Sequence, residues 1–124
     1  MLFYVCKKCG NLVGFIEKTA CTPKCCGEEM VELVANSVDA AAEKHVPEVS
    51  CEGNKVIVKV GSVDHPMLPE HFIGWVALET KQGAQRKTLN PGDKPCVEFA
   101  LTEGDEPVTA YAYCNLHGLW KKDF

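Results

Sequence analysis

A chain of 124 residues with 46% hydrophobic and 24% charged side chains has the size of one domain, or of one domain with a small satellite, and an ordinary globular composition. Collagen-like, coiled-coil and disordered classes are thereby excluded. The formal net charge of -4 argues against a general nucleic-acid binder, which needs a basic face to neutralise phosphates.

Residues 1 to 36 hold four acidic and four basic side chains, so the negative excess lies entirely in the remainder, with 13 acidic against 9 basic. The opening MLFYVCKKCG lacks the basic start and long apolar run of a signal peptide, and no apolar stretch approaches membrane-spanning length. The expectation is a cytoplasmic chain with no membrane partner. There thiols stay reduced, and eight clustered cysteines bind metal sooner than they pair.

The first segment, residues 1–36, scatters Gly10, Gly14, Pro23 and Gly27 among its cysteines and has too few large apolar residues for a core. Such a piece needs a staple, and a metal gripped by thiolates supplies one because its binding energy becomes folding energy. Cys6-Lys7-Lys8-Cys9-Gly10 is a Cys-x2-Cys knuckle that lets two sulfurs reach one tetrahedral metal. The second pair comes from Cys21, Cys25 and Cys26. Cys25-Cys26-Gly27 repeats the Cys-Gly ending of the first knuckle and is favoured, leaving Cys21 a free thiol; spacing alone also admits Cys21. Four thiolates suit zinc or iron equally.

Residues 37–124 form the second segment. Ser37 to Val49 reads as a linker entering a site loop, with a short helical turn in its alanines that Pro47 stops at Val46. Four β-branched or aromatic runs follow: 55–60 KVIVKV, 72–80 FIGWVALET, 96–101 CVEFAL and 108–114 VTAYAYC. Turn signals at Gly53-Asn54, Lys81-Gln82-Gly83, Asn90-Pro91-Gly92-Asp93 and Glu103-Gly104-Asp105 separate them. The fold class expected is all-β, an antiparallel sandwich. Cys51 and Cys96 read as small core residues or plain thiols, and Trp75, Trp120, Tyr111 and Tyr113 as packing residues; Trp120 also follows His117 closely enough to cover one edge of a site.

The four histidines, His45, His65, His71 and His117, all fall at segment ends or in turns. His65 and His71 flank a loop stiffened by Pro66 and Pro69, and Cys114-Asn115-Leu116-His117 sets a thiolate and an imidazole three apart where the last apolar run ends. Any single histidine is most simply a surface residue. Four imidazoles and one thiolate together are too many donors for a closed tetrahedral zinc site and point to a metal of higher coordination number with a position left for a small ligand. A thiolate among imidazoles favours redox iron, because electron-rich sulfur pushes density toward whatever binds opposite. A zinc knuckle on an interaction domain leaves the five donors unexplained, and a plain electron carrier needs no open position.

Glu43-Lys44-His45-Val46-Pro47, the stretch from Val60-Gly61 to His65-Pro66-Met67, Glu70-His71, Cys114-Asn115-Leu116-His117-Gly118 and the two Cys-Gly endings resemble desulfoferrodoxin, the two-iron superoxide reductase family, over nearly the whole chain. The resemblance implies a desulforedoxin-like unit with iron on Cys6, Cys9, Cys25 and Cys26, followed by an immunoglobulin-like sandwich with iron on His45, His65, His71 and His117 in a plane and Cys114 axial. The stretch Ala20 to Lys24, which contains Cys21, departs from the family pattern. Further implications are one-electron reduction of superoxide to hydrogen peroxide without oxygen production, rubredoxin or a similar small protein as donor, the four-cysteine iron as relay, and a homodimer. Lys44 would steer the anion, and Glu43 would occupy the open position of the oxidised site until displaced. Ferrous iron with four neutral imidazoles and one thiolate stays positive, whereas four thiolates make the other centre negative, so the anion is drawn to the histidine site.

Overall fold

The computed structural model describes residues 1–124 and divides them into two compact units, Met1–Val34 and Ala35–Phe124. The first is built from five very short strands: β1 (Phe3–Val5), β2 (Leu12–Gly14), β3 (Lys24–Cys25), β4 (Glu28–Glu29) and β5 (Val31–Glu32). β1 lies between β2 and β5, antiparallel to both, and β3 pairs with β4. Its buried apolar residues are Phe3, Val5, Cys6 and Met30, with Tyr4 edge-on to Phe15 at 5.0 Å between ring centroids. So small an apolar nucleus cannot offset the backbone entropy of some thirty residues by itself.

The second unit opens with a single helical turn, α1 (Ala42–His45), closed by Val46 N–H donating to the carbonyl of Ala42. The chain turns extended at Val46, as expected before Pro47. Seven strands follow: β6 (Pro47–Glu52), β7 (Lys55–Val60), β8 (Ile73–Thr80), β9 (Gly83–Thr88), β10 (Cys96–Ala100), β11 (Pro107–Cys114) and β12 (Gly118–Asp123). They make two antiparallel sheets, in the orders β10-β7-β6 and β12-β11-β8-β9. The anticipated runs coincide with β7, β8, β10 and β11. Three further strands, β6, β9 and β12, join them, and β6 starts inside the stretch read as a linker.

Strand alternation explains the core. Val56, Val58 and Val60 of β7 and Val97 and Phe99 of β10 face Val76 and Leu78 of β8 and Ala110, Ala112 and Cys114 of β11. Each fully buried valine, isoleucine or leucine contributes about 1.5–3 kcal/mol by leaving water. Cys96 precedes the inward-facing Val97 and is exposed, as is Cys51 on the edge strand β6, so neither belongs to the core. Trp75 and Tyr113 stack on the opposite face at 5.5 Å, with planes 8° apart.

The ladder between β8 and β11 slips between Tyr113 and Cys114, where Tyr113 pairs with Trp75 but Cys114 pairs with Ile73. This bulge keeps Ile73 inward with Val76 although the two differ in parity. The second unit is thus an immunoglobulin-like antiparallel sandwich, and the fold is all-β as anticipated, with the cysteine-bearing unit ahead of it.

Candidate metal centres

In the first unit, the knuckle is shaped by its own backbone. Gly10 N–H donates to the carbonyl of Cys6 at 2.9 Å, Cys6 N–H to Asn11 at 2.8 Å, and Cys9 N–H points at the sulfur of Cys6 at 3.5 Å. Gly10 has φ 82°, a conformation glycine adopts without steric cost. The Cys9 amide, chiefly, stabilises a Cys6 thiolate and lowers its pKa to about 6.

Adjacent cysteines on an extended chain point to opposite faces. Here Cys26 and Gly27 form the two central residues of the β3–β4 hairpin, with φ 53° and 76°, the pattern of a type I′ turn. The turn re-aims Cys26, so its sulfur lies 3.9 Å from that of Cys25, which is 3.5 Å from that of Cys9. Sulfurs at tetrahedral angles and about 2.3 Å from one metal lie about 3.8 Å apart. A disulfide would bring them to about 2.0 Å, and none of the eight cysteines is bridged. Cys6, Cys9, Cys25 and Cys26 place their sulfurs within 4.8 Å of one another, and Cys21 is not in the group. Hydrogen bonding with the Cys9 thiol, above all, pushes the pKa of Cys25 and Cys26 up. Four such thiols together give up their protons to a cation.

The second cluster gathers at one end of the sandwich. α1 presents His45, the loop after β7 presents His65 and His71, and Cys114 and His117 flank the turn between β11 and β12. Gly61 sets how closely the first of these approaches the loop: a Cβ there would lie 2.7 Å from the Glu43 carbonyl oxygen and 2.9 Å from that of Val46. Val63 N–H and Ser62 Oγ–H donate to that Glu43 carbonyl at 2.9 and 3.2 Å, and His65 N–H donates to Val60 at 2.9 Å.

His45 Nδ1 and His65 Nδ1 each lie 2.7 Å from a carbonyl, of Ala41 and Pro66 respectively. A carbonyl takes only a donor, so these nitrogens carry the hydrogens and the Nε2 atoms present lone pairs inward. The two Nε2 atoms are 3.1 Å apart, and His45 Nε2 is 3.2 Å from His117 Nδ1. Two hydrogen-free nitrogens at that distance do not bond to each other. Nitrogens at right angles and about 2.1 Å from one metal lie about 3.0 Å apart, against about 3.4 Å at tetrahedral angles.

Ring packing has the same form. Around the cycle His45, His65, His71, His117, neighbouring centroids are 4.6, 4.6, 5.1 and 5.0 Å apart with planes 77° to 86° to each other; across it, His45 and His71 are 6.3 Å apart. Four sides shorter than that diagonal make an open ring rather than the equal spacing of a regular tetrahedron. The donor atoms of His45, His65, His71 and Cys114 lie within 4.8 Å of one another; His117, the fifth expected donor, is outside that group and adjoins it through Nδ1, 3.2 Å from His45 Nε2 and 3.8 Å from Cys114 Sγ.

Burial makes the site hungry for a cation. His45 and His65 are 2% exposed and Cys114 is fully buried. Desolvation lowers the pKa of His45 and His71 and takes that of His65 down to about 4, so these three imidazoles are neutral at neutral pH and free to serve as ligands. It also pushes the Cys114 thiol up, against backbone N–H groups of His117 and Leu116 that favour the thiolate. His71 Nε2 is buried without a hydrogen-bond partner. An unpartnered buried ring nitrogen within 4.8 Å of a desolvated thiol is what a metal ion satisfies. The donor set fits iron. After burial, His117 and Glu70, the charge of Lys44 also acts on His71; Lys44 and Glu43 are both exposed on α1.

Trp120, foreseen at the edge of the site, lies against His45, and its indole N–H donates to the His117 carbonyl at 3.1 Å. Asn115 stands in the sequence between two candidate donors, Cys114 and His117. Its side chain bonds the backbone on both sides of His71, and spacing carries no signal of that.

The desulfoferrodoxin family model matches residues 37–123. The chain is 48% identical over 120 residues to the desulfoferrodoxin of Syntrophotalea carbinolica, covering 97% of this chain and 94% of that protein. It is 44% identical over 121 residues to a desulfoferrodoxin homolog of Archaeoglobus fulgidus, with 98% and 95% covered. Among solved structures it resembles the superoxide reductase from Treponema pallidum, at 42% identity and a TM-score of 0.82 over 98% of each chain. With both donor clusters in place and these likenesses spanning its length, the chain belongs to the desulfoferrodoxin family.

Proposed function

We propose that this protein is a superoxide reductase, converting superoxide to hydrogen peroxide at the histidine-cysteine centre without releasing oxygen. The observation that carries the proposal is the ring of four imidazoles with the Cys114 sulfur beside it. His45, His65 and His71 through Nε2, His117 through Nδ1, and Cys114 through Sγ hold one iron; Cys6, Cys9, Cys25 and Cys26 hold the other. Residues 1–36 act as the desulforedoxin-like domain and residues 37–124 as the catalytic domain.

When bound, iron supplies the single electron that, with two protons, turns superoxide into hydrogen peroxide. The residues of the chain do the rest. These five donors would hold an ion that prefers more ligands than five and so would leave room beside it for a small anion. Lys44 adds positive charge beside that position: unit charges about 4 Å apart attract by roughly 4 kcal/mol at an intermediate dielectric, enough to offset a diffuse acidic surface. Its ammonium holds the anion and orders the water that delivers protons. Glu43, on the same turn of helix, carries a carboxylate that would compete with the anion for that position. Trp120 and the buried histidines keep bulk water from the other side of the ring.

The four-thiolate centre, negative overall, repels superoxide and serves as the relay for electrons from rubredoxin or a similar small donor. A homodimer in the cytoplasm completes the reading; eight unbridged cysteines accord with a reducing compartment, and no helix is long and apolar enough to cross a membrane.

The test is stoichiometry. With a steady superoxide source and excess reductant, each superoxide consumed should yield one hydrogen peroxide and no oxygen. Half that peroxide, with oxygen evolved, would identify a dismutase and overturn the reading.

A further inference from the structure

The four histidines are not held alike. His45 and His65 each anchor the far ring nitrogen on a carbonyl, at 2.7 Å. His71 and His117 have no such bond, so the positions of their rings depend on how their backbone segments are held. Both segments meet at Asn115.

Beyond the β8–β11 bulge, Asn115 continues the ladder. Its N–H donates to the Phe72 carbonyl at 3.2 Å, while its Oδ1 accepts from Phe72 N–H at 2.9 Å and its Nδ2–H donates to the Glu70 carbonyl at 3.0 Å. The side-chain amide, with a donor and an acceptor in one plane, behaves as an extra peptide unit. It grips the residues immediately before and after His71. In sequence it sits directly after Cys114 and two before His117. Asn115 is itself exposed, so it fills no core space; its contribution is in those bonds.

We propose that Asn115 is a positioning residue that fixes the His71 imidazole against Cys114 and His117, replacing the ring hydrogen bonds that these two histidines lack. It touches neither metal nor substrate. The proposal rests on the ligand set given above. Groups that orient metal ligands from outside typically change metal affinity by about 10–100-fold when removed, and the two bonds to the side chain of Asn115 act on a single ligand loop.

The experiment loads the full-length chain with iron, oxidises it and follows transfer of iron to a chelator at each centre by its own visible band. Asn115→Ala should lose the histidine-site iron about tenfold faster or more and shift that centre's sulfur-to-iron band, with the four-cysteine centre releasing iron at its original rate. Asn115→Asp keeps the acceptor for Phe72 N–H but loses the donor to Glu70, and should fall between. A rate and band unchanged in Asn115→Ala would overturn the proposal, as would equal acceleration at both centres, which marks general loosening. Should Asn115→Ala fail to fold, Asn115→Asp decides by the same two readouts. If the unsubstituted chain shows no histidine-site band, it is the ligand set that fails, not the role of Asn115.

Discussion

Trp120 lies over the imidazole of His45, with ring centroids 4.8 Å apart and planes 30° to each other, while its indole N–H donates to the carbonyl of His117. One side chain, 3% exposed, therefore packs on one proposed ligand and tethers the backbone of another.

Trp120→Phe keeps most of the packing and removes the donor. The loss of one hydrogen bond should cost about 1 kcal/mol, lowering Tm by about 4–8 °C for a unit of this size. Thermal unfolding of the iron-loaded protein checks this, and an unchanged Tm would show that water replaces the indole at no cost.

Cys21 and Cys26 separate cleanly as predictions. Cys26 is re-aimed by a left-handed turn into the sulfur cluster, and Cys21 is outside it. Cys21→Ser should retain both irons and both visible bands. Cys26→Ser should lose the band of the four-cysteine centre; loss of that band in Cys21→Ser instead would place Cys21, not Cys26, among the ligands.

Lys44→Ala should slow the second-order reaction with superoxide by about tenfold or more at low salt and flatten its dependence on ionic strength. Lys44→Arg, which keeps the charge, should stay near the original rate. Pulse radiolysis across a salt series makes the comparison, and an unaltered salt slope in Lys44→Ala would remove Lys44 from steering.

The metal-free protein should be acid-sensitive in a defined window. Burial lowers the pKa of His65 to about 4, and those of His45 and His71 also fall, whereas unfolded histidines titrate near 6.5. Between these values the unfolded chain binds more protons than the folded one, so stability rises with pH and is lost as pH falls from about 6.5 toward 4. Tm of the chelator-treated protein at pH 7 and pH 5 measures it. His65→Gln should flatten the slope, and an unchanged slope would mean that His65 is already solvated.

The strands that pattern alone revealed and those it did not differ in position. β7, β8 and β11 have neighbours on both sides, and β10, although an edge, alternates exposed and buried residues cleanly. β6, β9 and β12 are all edges. β9, Gly83–Thr88, has no buried residue at all, so it has no apolar period to read; it is a strand because β8 offers it a row of amides and carbonyls. The donor residues were legible because histidine and cysteine carry their chemistry in their identity. The repeated Cys-Gly ending favours Cys26 over Cys21 in the sequence, but how Cys26 turns back toward Cys25 needs the φ of one turn, and Gly61 and Asn115 act through backbone atoms that only folding brings near. Trp120 was legible as a neighbour of His117 in sequence, but not as the partner of His45.

The most direct measurement is the visible spectrum and iron content of oxidised Cys114→Ser beside the unsubstituted protein. If Cys114 sulfur is a ligand, the unsubstituted chain holds two irons with two distinct sulfur-to-iron bands, and the variant loses the band of the histidine centre while that of the four-cysteine centre persists. Retention of both bands in the variant would contradict the account, because the sulfur would then not be bound to the metal that the four imidazoles surround.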